Sequence, residues 1–389
     1  MTVPPSARPV VGSSGGGPVL RTARPAGPTS SVPRTHLAAR LEDGFDRAVA
    51  HQLRGRGWTV RIEPYAGYGA PGWVRVMART MLAAPHVGDA DLPGAGASAQ
   101  AGARSASTLR GWRSFATAQV SGAELEVRVG DRTHHVVTDR GGYVDAVLES
   151  DLPPGWHDVL LTTADGRTAT AQVQVIGPET RYGIVSDIDD TVMVTRLPRP
   201  FVAAWNVLMR HENAREPVPG MARLYAGLRS GGAEVPVIYL STGAWNAAPT
   251  IARFLRRWRY PAGPLLLTDW GPTNSGWFRS GPAHKVAQLR RLFAELPDVQ
   301  WVLVGDDGQH DPQIYAGAAQ RFGDHVRAIL IRQLTFSEHV LAHGVPVPTS
   351  EALRAEQQAA RRQDGIPVLQ GPDGQTLQQL VREYGIDLS

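Results

Sequence analysis

Residues 182–191 read Tyr-Gly-Ile-Val-Ser-Asp-Ile-Asp-Asp-Thr, and this stretch determines the predicted fold. Its first half is almost continuously apolar, which is typical of a strand that is covered on both faces. Carboxylates follow at once, at Asp187, Asp189 and Asp190. The stretch therefore predicts a buried strand with acidic side chains at its carboxyl end.

The pattern repeats downstream. Further short apolar runs occupy 235–240, 264–267, 301–304 and 326–331, and helical segments are predicted at 221–230, 249–257, 285–296 and 312–322. Buried strands that alternate with helices favour an α/β fold. We predict a Rossmann-like, doubly wound parallel sheet over residues 178–335. Ligands bind such sheets at the carboxyl ends of the strands.

Polar side chains also follow two other predicted strands. Ser241-Thr242-Gly243 ends one run, and Gly305-Asp306 ends another, with Asp311 five residues beyond Asp306. Lys285 is the only lysine among 40 basic residues, and its compact ammonium can lie against a single phosphoryl oxygen. Clustered carboxylates repel one another unless protons or a cation compensate, and in a chain without cysteine their hard oxygens favour Mg²⁺.

These motifs resemble those of the haloacid dehalogenase superfamily of phosphotransferases. The four matching motifs, in chain order, are Asp187-x-Asp189-x-Thr191, Ser241, Lys285 and Gly305-Asp306 to Asp311. Longer stretches are similar to the magnesium-dependent phosphatidate phosphatases of the actin-patch protein type, with lipins as more distant relatives. They include Gly276-Trp277-Phe278-Arg279 and the Asp311-Pro312 pair. The resemblance covers about residues 180–335.

Each motif residue can be given a chemical role. Asp187 would attack phosphorus, and Asp189 would protonate the leaving alkoxide and then deprotonate water. Ser241 would donate a hydrogen bond to the phosphoryl group, and Lys285 would stabilise its charge. Mg²⁺ would be held by Asp187, Asp306 and, as the resemblance implies, the carbonyl of Asp189.

Other residues are expected to support the site or to contact substrate. Asp311 is expected to hold a metal-bound water or to orient Lys285, and Thr191 is expected to stabilise the turn. The candidates for substrate binding are Thr242, Gly243, Arg279 and His284. His310 is a weaker candidate, and the neighbouring Asp190 and Asp307 are expected to be structural because adjacent side chains on extended backbone point apart.

The substrate is less well defined than the chemistry. The segments after the first two motifs are too short for a large cap, so a bulky or interfacial substrate could enter. An apolar stripe accompanied by arginines lies in residues 196–210 and either packs in the core or contacts a membrane surface. With the resemblance, this predicts a Mg²⁺-dependent phosphatidate phosphatase acting through an aspartyl-phosphate. The alternatives are a phosphatase of soluble esters or phosphoproteins, and a catalytically silent binding protein.

The remaining chain is divided by composition and periodicity. Residues 1–35 are predicted to be disordered, and 36–57 to form an amphipathic helix. Alternating segments predict a β-sandwich over 58–177, with a flexible loop at 94–107. A helical extension is predicted over 336–389.

Composition narrows the class of protein. The absence of cysteine excludes disulfides and cysteine nucleophiles. The net charge is only +4, and the basic residues do not form the clusters that are typical of nucleic-acid binding. There is no apolar run long enough for a membrane span or a signal peptide. We therefore predict a cytoplasmic enzyme, leave peripheral membrane contact open, and expect no nucleic-acid partner. The oligomeric state is not legible from the sequence.

Overall fold

The computed structural model describes residues 55–83, 119–194, 215–230, 234–268, 281–308, 310–335 and 365–386. Several predictions fall elsewhere. The disordered tail at 1–35, the loop at 94–107 and the arginine-flanked apolar stripe within 196–210 lie outside the described residues, as does the helix at 36–57 except for its last three positions.

The N-terminal part of the described chain is one seven-stranded sheet. Its strands are β1 (Thr59–Ala70), β2 (Gly72–Ala83), β3 (Glu124–Val129), β4 (Arg132–Val137), β5 (Tyr143–Ser150), β6 (Gly155–Thr163) and β7 (Thr168–Val175). The order is β4-β3-β6-β7-β1-β2-β5. All neighbours are antiparallel except β1 and β7, which are parallel, so the sheet is mixed.

The two edges of this sheet approach each other. His134 on β4 contacts the carbonyl of Glu149 on β5 at 3.0 Å, and Arg132 forms an ion pair with the Glu149 carboxylate at 3.1 Å. A register shift between Tyr65 and Tyr68 marks a bulge in the long strand β1, and bulges increase the bend of a sheet. The sheet is therefore barrel-like and nearly closed.

This arrangement corrects the predicted fold class. Strands and bridges account for 43% of the described residues and helices for 26%, so the chain is not the Rossmann-like doubly wound α/β fold that we predicted. The N-terminal strands also form one curled sheet in place of two packed layers of a sandwich. Alternation identifies strands but not their partners, and here the parallel β1–β7 pair joins all seven strands into one sheet.

A second sheet of six strands follows. Its strands are β8 (Tyr182–Ser186), β9 (Val237–Ala244), β10 (Leu265–Thr268), β11 (Gln300–Asp306), β12 (Val326–Arg332) and β13 (Val368–Gly371). The order is β10-β9-β8-β11-β12-β13, and every neighbouring pair is parallel. β13 lies in the segment that was expected to be purely helical, where it adds an edge strand beside β12.

Five α-helices accompany the second sheet within the described ranges. They are α1 (Met221–Leu228), α2 (Ala248–Arg257), α3 (Gly281–Glu295), α4 (Asp311–Arg321) and α5 (Gly374–Glu383). α3 buries Leu289, Leu292 and Phe293 at the helical spacing that places them on one face. Because α3 precedes β11 and α4 follows it, both helices begin at the carboxyl edge of the sheet, where β11 ends in Asp306.

The two sheets share a hydrophobic core. Tyr65, Tyr68 and Met77 of the barrel-like sheet belong to the same buried cluster as β8, β9 and β11. The Tyr65 ring also stacks on Trp245, just after β9, with ring centroids 4.6 Å apart. The barrel-like sheet is thus packed directly against the part of the chain that carries the predicted site.

Among the helices that the structure describes, none combines the length and apolar character needed to cross a bilayer.

Candidate active site

The site is built at the carboxyl ends of three adjacent strands. β8 lies between β9 and β11, so the residues that follow or end these strands share one edge of the sheet. Asp187 follows β8, Ser241 lies near the end of β9, and Asp306 ends β11. All three side chains are buried. The structure therefore brings together the polar strand ends that the sequence identified.

Lys285 reaches this edge from the first turns of α3. Its Nζ donates hydrogen bonds to Asp187 Oδ1 at 2.7 Å and to Asp311 Oδ1 at 2.6 Å. The lysine side chain is only 2% exposed, and the two carboxylates are 1% exposed. Burial disfavours the ammonium, but Asp187 and Asp311 outweigh that effect and raise the pKa of Lys285 above its ordinary value. The lysine is therefore held as a cation between two acids.

Three carboxylates form a compact acidic cluster. One carboxylate oxygen from each of three residues lies within 4.8 Å of the other two, and these residues are Asp187, Asp306 and Asp311. Burial, opposed by Lys285, raises the pKa of Asp311 to about 6. One ammonium cannot neutralise three carboxylates, and a cluster of hard oxygens fits a divalent cation such as Mg²⁺. The donor set thus fits a metal ion.

The turn that follows β8 is held by hydrogen bonds from side chains. Thr191 Oγ1 donates a hydrogen bond to Asp187 Oδ2 at 3.3 Å. Asp190 has a positive φ of 58°, which is uncommon for a residue with a side chain. Arg332 Nη1 donates to the Asp190 carbonyl at 2.7 Å and so holds this backbone in place. Asp190 is buried, and its backbone helps to shape the turn.

Ser241 contacts the second acid of the motif. Its Oγ donates a hydrogen bond to Asp189 Oδ2 at 3.1 Å and accepts one from Gly243 N at 2.9 Å. The Asp189 carboxylate is therefore directed toward β9, and it is not a member of the three-carboxylate cluster. Thr242 is half-buried, and its carbonyl accepts a hydrogen bond from Thr268 Oγ1 at 2.7 Å.

The other candidates are distributed around the site. His284 is buried next to Lys285, whereas His310 is exposed immediately before α4. Asp307 Oδ1 accepts a hydrogen bond from Leu334 N at 2.8 Å, which is a structural contact. Arg279 lies outside the described residues.

Sequence reasoning missed two residues that brace the site. Arg332 is buried at the end of β12, one position beyond the apolar run that predicted this strand. The Tyr225 hydroxyl on α1 contacts Ser186 Oγ, directly before Asp187, and burial raises the pKa of this tyrosine well above its ordinary value. The position of Arg332 at a polar strand end could have identified it as a site residue. Tyr225 lies among apolar residues on one helix face, and no sequence pattern marks it as a site residue.

The part of the chain that carries this site matches a known catalytic domain. Residues 182–333 match the family model described as the catalytic domain of phosphatidate phosphatase APP1. The resemblance drawn from the motifs is therefore confirmed.

Two yeast proteins are similar to this chain. Phosphatidate phosphatase APP1 of Saccharomyces cerevisiae is 25% identical over 201 residues, which cover 50% of this chain and 34% of that protein. An uncharacterized protein of Schizosaccharomyces pombe is 27% identical over 182 residues, or 45% of this chain and 29% of that one. The chain thus spans about a third of the length of these relatives.

Solved structures are more distant. A carbohydrate acetylesterase from Xanthomonas citri is 10% identical, with 71% of each chain covered and a TM-score of 0.25. That score is too low to support any argument about this chain.

Proposed function

We propose that this protein is a Mg²⁺-dependent phosphatidate phosphatase that acts through an aspartyl-phosphate on Asp187. The observation that carries the proposal is the position of Lys285 Nζ, 2.7 Å from Asp187 Oδ1 and 2.6 Å from Asp311 Oδ1, in a buried acidic cluster. A buried ammonium beside a carboxylate nucleophile suits a reaction in which negative charge spreads over phosphoryl oxygens. The family match supports the choice of phosphatidate as the substrate.

In the first step, a carboxylate oxygen of Asp187 attacks phosphorus, and the bond between phosphorus and the lipid oxygen breaks. Asp189 gives its proton to the departing alkoxide, which leaves as diacylglycerol. Water then attacks phosphorus in the second step, Asp189 takes a proton from it, and the bond between phosphorus and Asp187 breaks. Inorganic phosphate leaves, and both aspartates return to their initial states.

Ser241 and Asp311 assist these steps through other residues. The hydrogen bond from Ser241 Oγ keeps the Asp189 carboxyl directed toward β9 before substrate binds. Asp311 holds the Lys285 ammonium beside Asp187, so that the positive charge is in place when the phosphoryl group enters. Thr242, Gly243, His284 and Arg279 remain candidates for contact with the phosphate.

The acidic cluster fits Mg²⁺ because its donors are buried carboxylate oxygens in close proximity. Asp187, Asp306 and the backbone carbonyl of Asp189 would hold the ion. When bound, Mg²⁺ would neutralise part of the charge on Asp187 and on the phosphoryl oxygens.

Phosphatidate lies in membranes, so we propose that the protein works in the cytoplasm with peripheral contact to a lipid surface. Two alternatives remain open. The same chemistry serves a soluble phosphomonoester or a phosphoprotein, and a silent domain would leave the barrel-like sheet as the active part. The intact set of Asp187, Asp189, Lys285 and Asp306 favours catalysis over the second alternative.

The test is a substrate panel with the full chain. Phosphate release is measured from phosphatidate in mixed micelles and from soluble esters and a phosphopeptide, with Mg²⁺ and with excess chelator. The proposal predicts Mg²⁺-dependent release with a higher kcat/KM for phosphatidate than for the other substrates. Release from soluble esters alone would contradict the lipid assignment, and no release from any substrate would favour a binding protein.

A further inference from the structure

An apolar groove runs along the surface between α3 and α4, and it begins where both helices start, at the carboxyl edge of the second sheet. It encloses about 300 Å³. Pro282 and His310 line its inner end, three residues from Lys285 and one residue from Asp311. The groove then follows both helices to Arg290 and Arg321. Arg290 lies eight positions after Pro282 on α3, which gives a length of about 12 Å.

The lining of the groove suits an alkyl chain. Its floor is formed by apolar side chains of both helices, including Val286, Leu289 and Ile314. No acidic residue lines it among the described residues, and its charged lining groups are the arginines Arg290 and Arg321. An apolar channel without acidic side chains suits the alkyl chain of an anionic amphiphile, and the two arginines lie at the end of the groove that is farther from Lys285.

Gly317 keeps this groove open. It lies in the interior of α4, where glycine costs about 1 kcal/mol relative to alanine. A close backbone contact would explain a helical glycine, but a Cβ atom built at Gly317 would meet no other atom within 4 Å. The absent side chain instead leaves space in the groove that Gly317 lines. A larger side chain could therefore occupy the groove without displacing the helix.

We infer that the groove between α3 and α4 receives an acyl chain of the substrate. This inference rests on the proposed function, because it extends the same site. The phosphate would lie at Asp187 and Lys285, and the chain would leave the site past Pro282 and His310. Each methylene buried contributes up to about a fourfold gain in affinity. The groove would thus let the enzyme distinguish a lipid phosphate from a small soluble ester that has the same head group.

The test uses monoalkyl phosphates of four, eight and twelve carbons below their micelle concentrations, with the full chain in Mg²⁺. We expect kcat/KM of the wild type to rise with chain length. Gly317→Leu should lower kcat/KM for dodecyl phosphate by at least tenfold and change that for butyl phosphate by less than twofold. Ala316→Leu, which adds the same side chain at an exposed position of α4, is the matched control and should behave like the wild type.

A second variant and a binding measurement keep the test decisive. If Gly317→Leu fails to fold, Gln313→Trp blocks the groove from an exposed lining position. If the wild type hydrolyses no phosphomonoester, the proposed function fails, and calorimetry with dodecyl phosphate and butyl phosphate then tests the groove alone. Tighter binding of dodecyl phosphate by the wild type, abolished by the blocking variant, supports the groove. Equal effects of the blocking variant on long and short alkyl phosphates would overturn the inference.

Discussion

Ser241 Oγ lies 3.1 Å from Asp189 Oδ2 and donates a hydrogen bond to it. The sequence predicted that Ser241 would bind the phosphoryl group, but in the described structure its hydroxyl holds the proposed acid and base. A bond of this kind fixes the direction of the carboxyl group before substrate arrives. Ser241 can fill both roles one after the other, because its hydroxyl can leave Asp189 and donate to the phosphoryl group when the substrate enters.

Substitution of Ser241 tests this contact. Ser241→Ala should lower kcat by about 10²-fold, at the lower end of the usual contribution of acid–base catalysis, because Asp189 would lose its orienting donor. KM should change little. Ser241→Thr retains the hydroxyl and should recover most of kcat. Steady-state kinetics on the same substrate measure both parameters, and equal losses in the two variants would contradict an orienting role.

Replacement of Lys285 should affect stability as well as activity. Lys285→Met leaves Asp187 and Asp311 buried without their counter-charge, which should cost about 3–5 kcal/mol of unfolding free energy. Lys285→Arg restores the charge, but the wide guanidinium fork does not fit the place of an ammonium. Because the charge is restored, Lys285→Arg should recover part of the lost stability in urea unfolding, while its poor fit keeps kcat at least 10²-fold below wild type. Full activity of Lys285→Arg would contradict the claim that the site requires a compact ammonium.

A divalent cation should stabilise the folded protein. If Mg²⁺ binds at the acidic cluster through Asp187 and Asp306, addition at a hundredfold excess over Kd adds roughly 2.7 kcal/mol to the unfolding free energy. Thermal unfolding with Mg²⁺ and with chelator measures the shift in Tm. Asp306→Asn should remove most of it, whereas Asp307→Asn should not, because the Asp307 carboxylate faces Leu334 N. A shift that survives Asp306→Asn would place the cation elsewhere.

The contact between the barrel-like sheet and α3 should depend on pH. Asp145 on β5 forms ion pairs with Arg75 on β2 and Arg291 on α3, and Arg75 also pairs with Glu295 on α3. Burial raises the pKa of Asp145, but Arg291 and Arg75 outweigh it and hold that pKa below its usual value. The carboxylate therefore adds stability above the usual carboxyl pKa, and this stability is lost as pH falls through the lower folded pKa.

Asp145→Asn should thus lower Tm at neutral pH, and the deficit should shrink below roughly pH 4 as the wild-type carboxylate is protonated. Asp131→Asn, in the exposed turn between β3 and β4, is the matched control and should leave Tm nearly unchanged. Thermal unfolding between pH 3 and pH 8 measures both. A deficit that is constant across this range would exclude an electrostatic contribution from Asp145.

Much of the candidate site could be predicted from the sequence. Asp187, Ser241 and Asp306 each follow or end an apolar run, and parallel strands bring such ends to one edge. The hydrogen bond between Ser241 and Asp189 could not be predicted from the sequence, because it depends on side-chain direction within a turn that contains a positive φ at Asp190. Arg332 and Tyr225 were missed because their contacts join segments far apart in the chain.

The fold was predicted less well, for a related reason. Alternation located most of the strands in residues 58–177, but it carries no information on which strand pairs with which. The parallel pairing of β1 with β7 and the contact of His134 with Glu149 close one mixed sheet where two layers were expected. Similarly, β13 is only four residues long and follows a polar segment, so its addition to β12 left no periodic signal.

The most direct test of the central claim is phosphate release from phosphatidate micelles by wild type, Asp187→Asn and Asp307→Asn, each with Mg²⁺ and with chelator. We expect Mg²⁺-dependent release by wild type and Asp307→Asn, and a loss of at least 10³-fold in Asp187→Asn, because an amide cannot form the phosphoenzyme. Release by Asp187→Asn at the wild-type rate would contradict the assignment of Asp187 as the nucleophile.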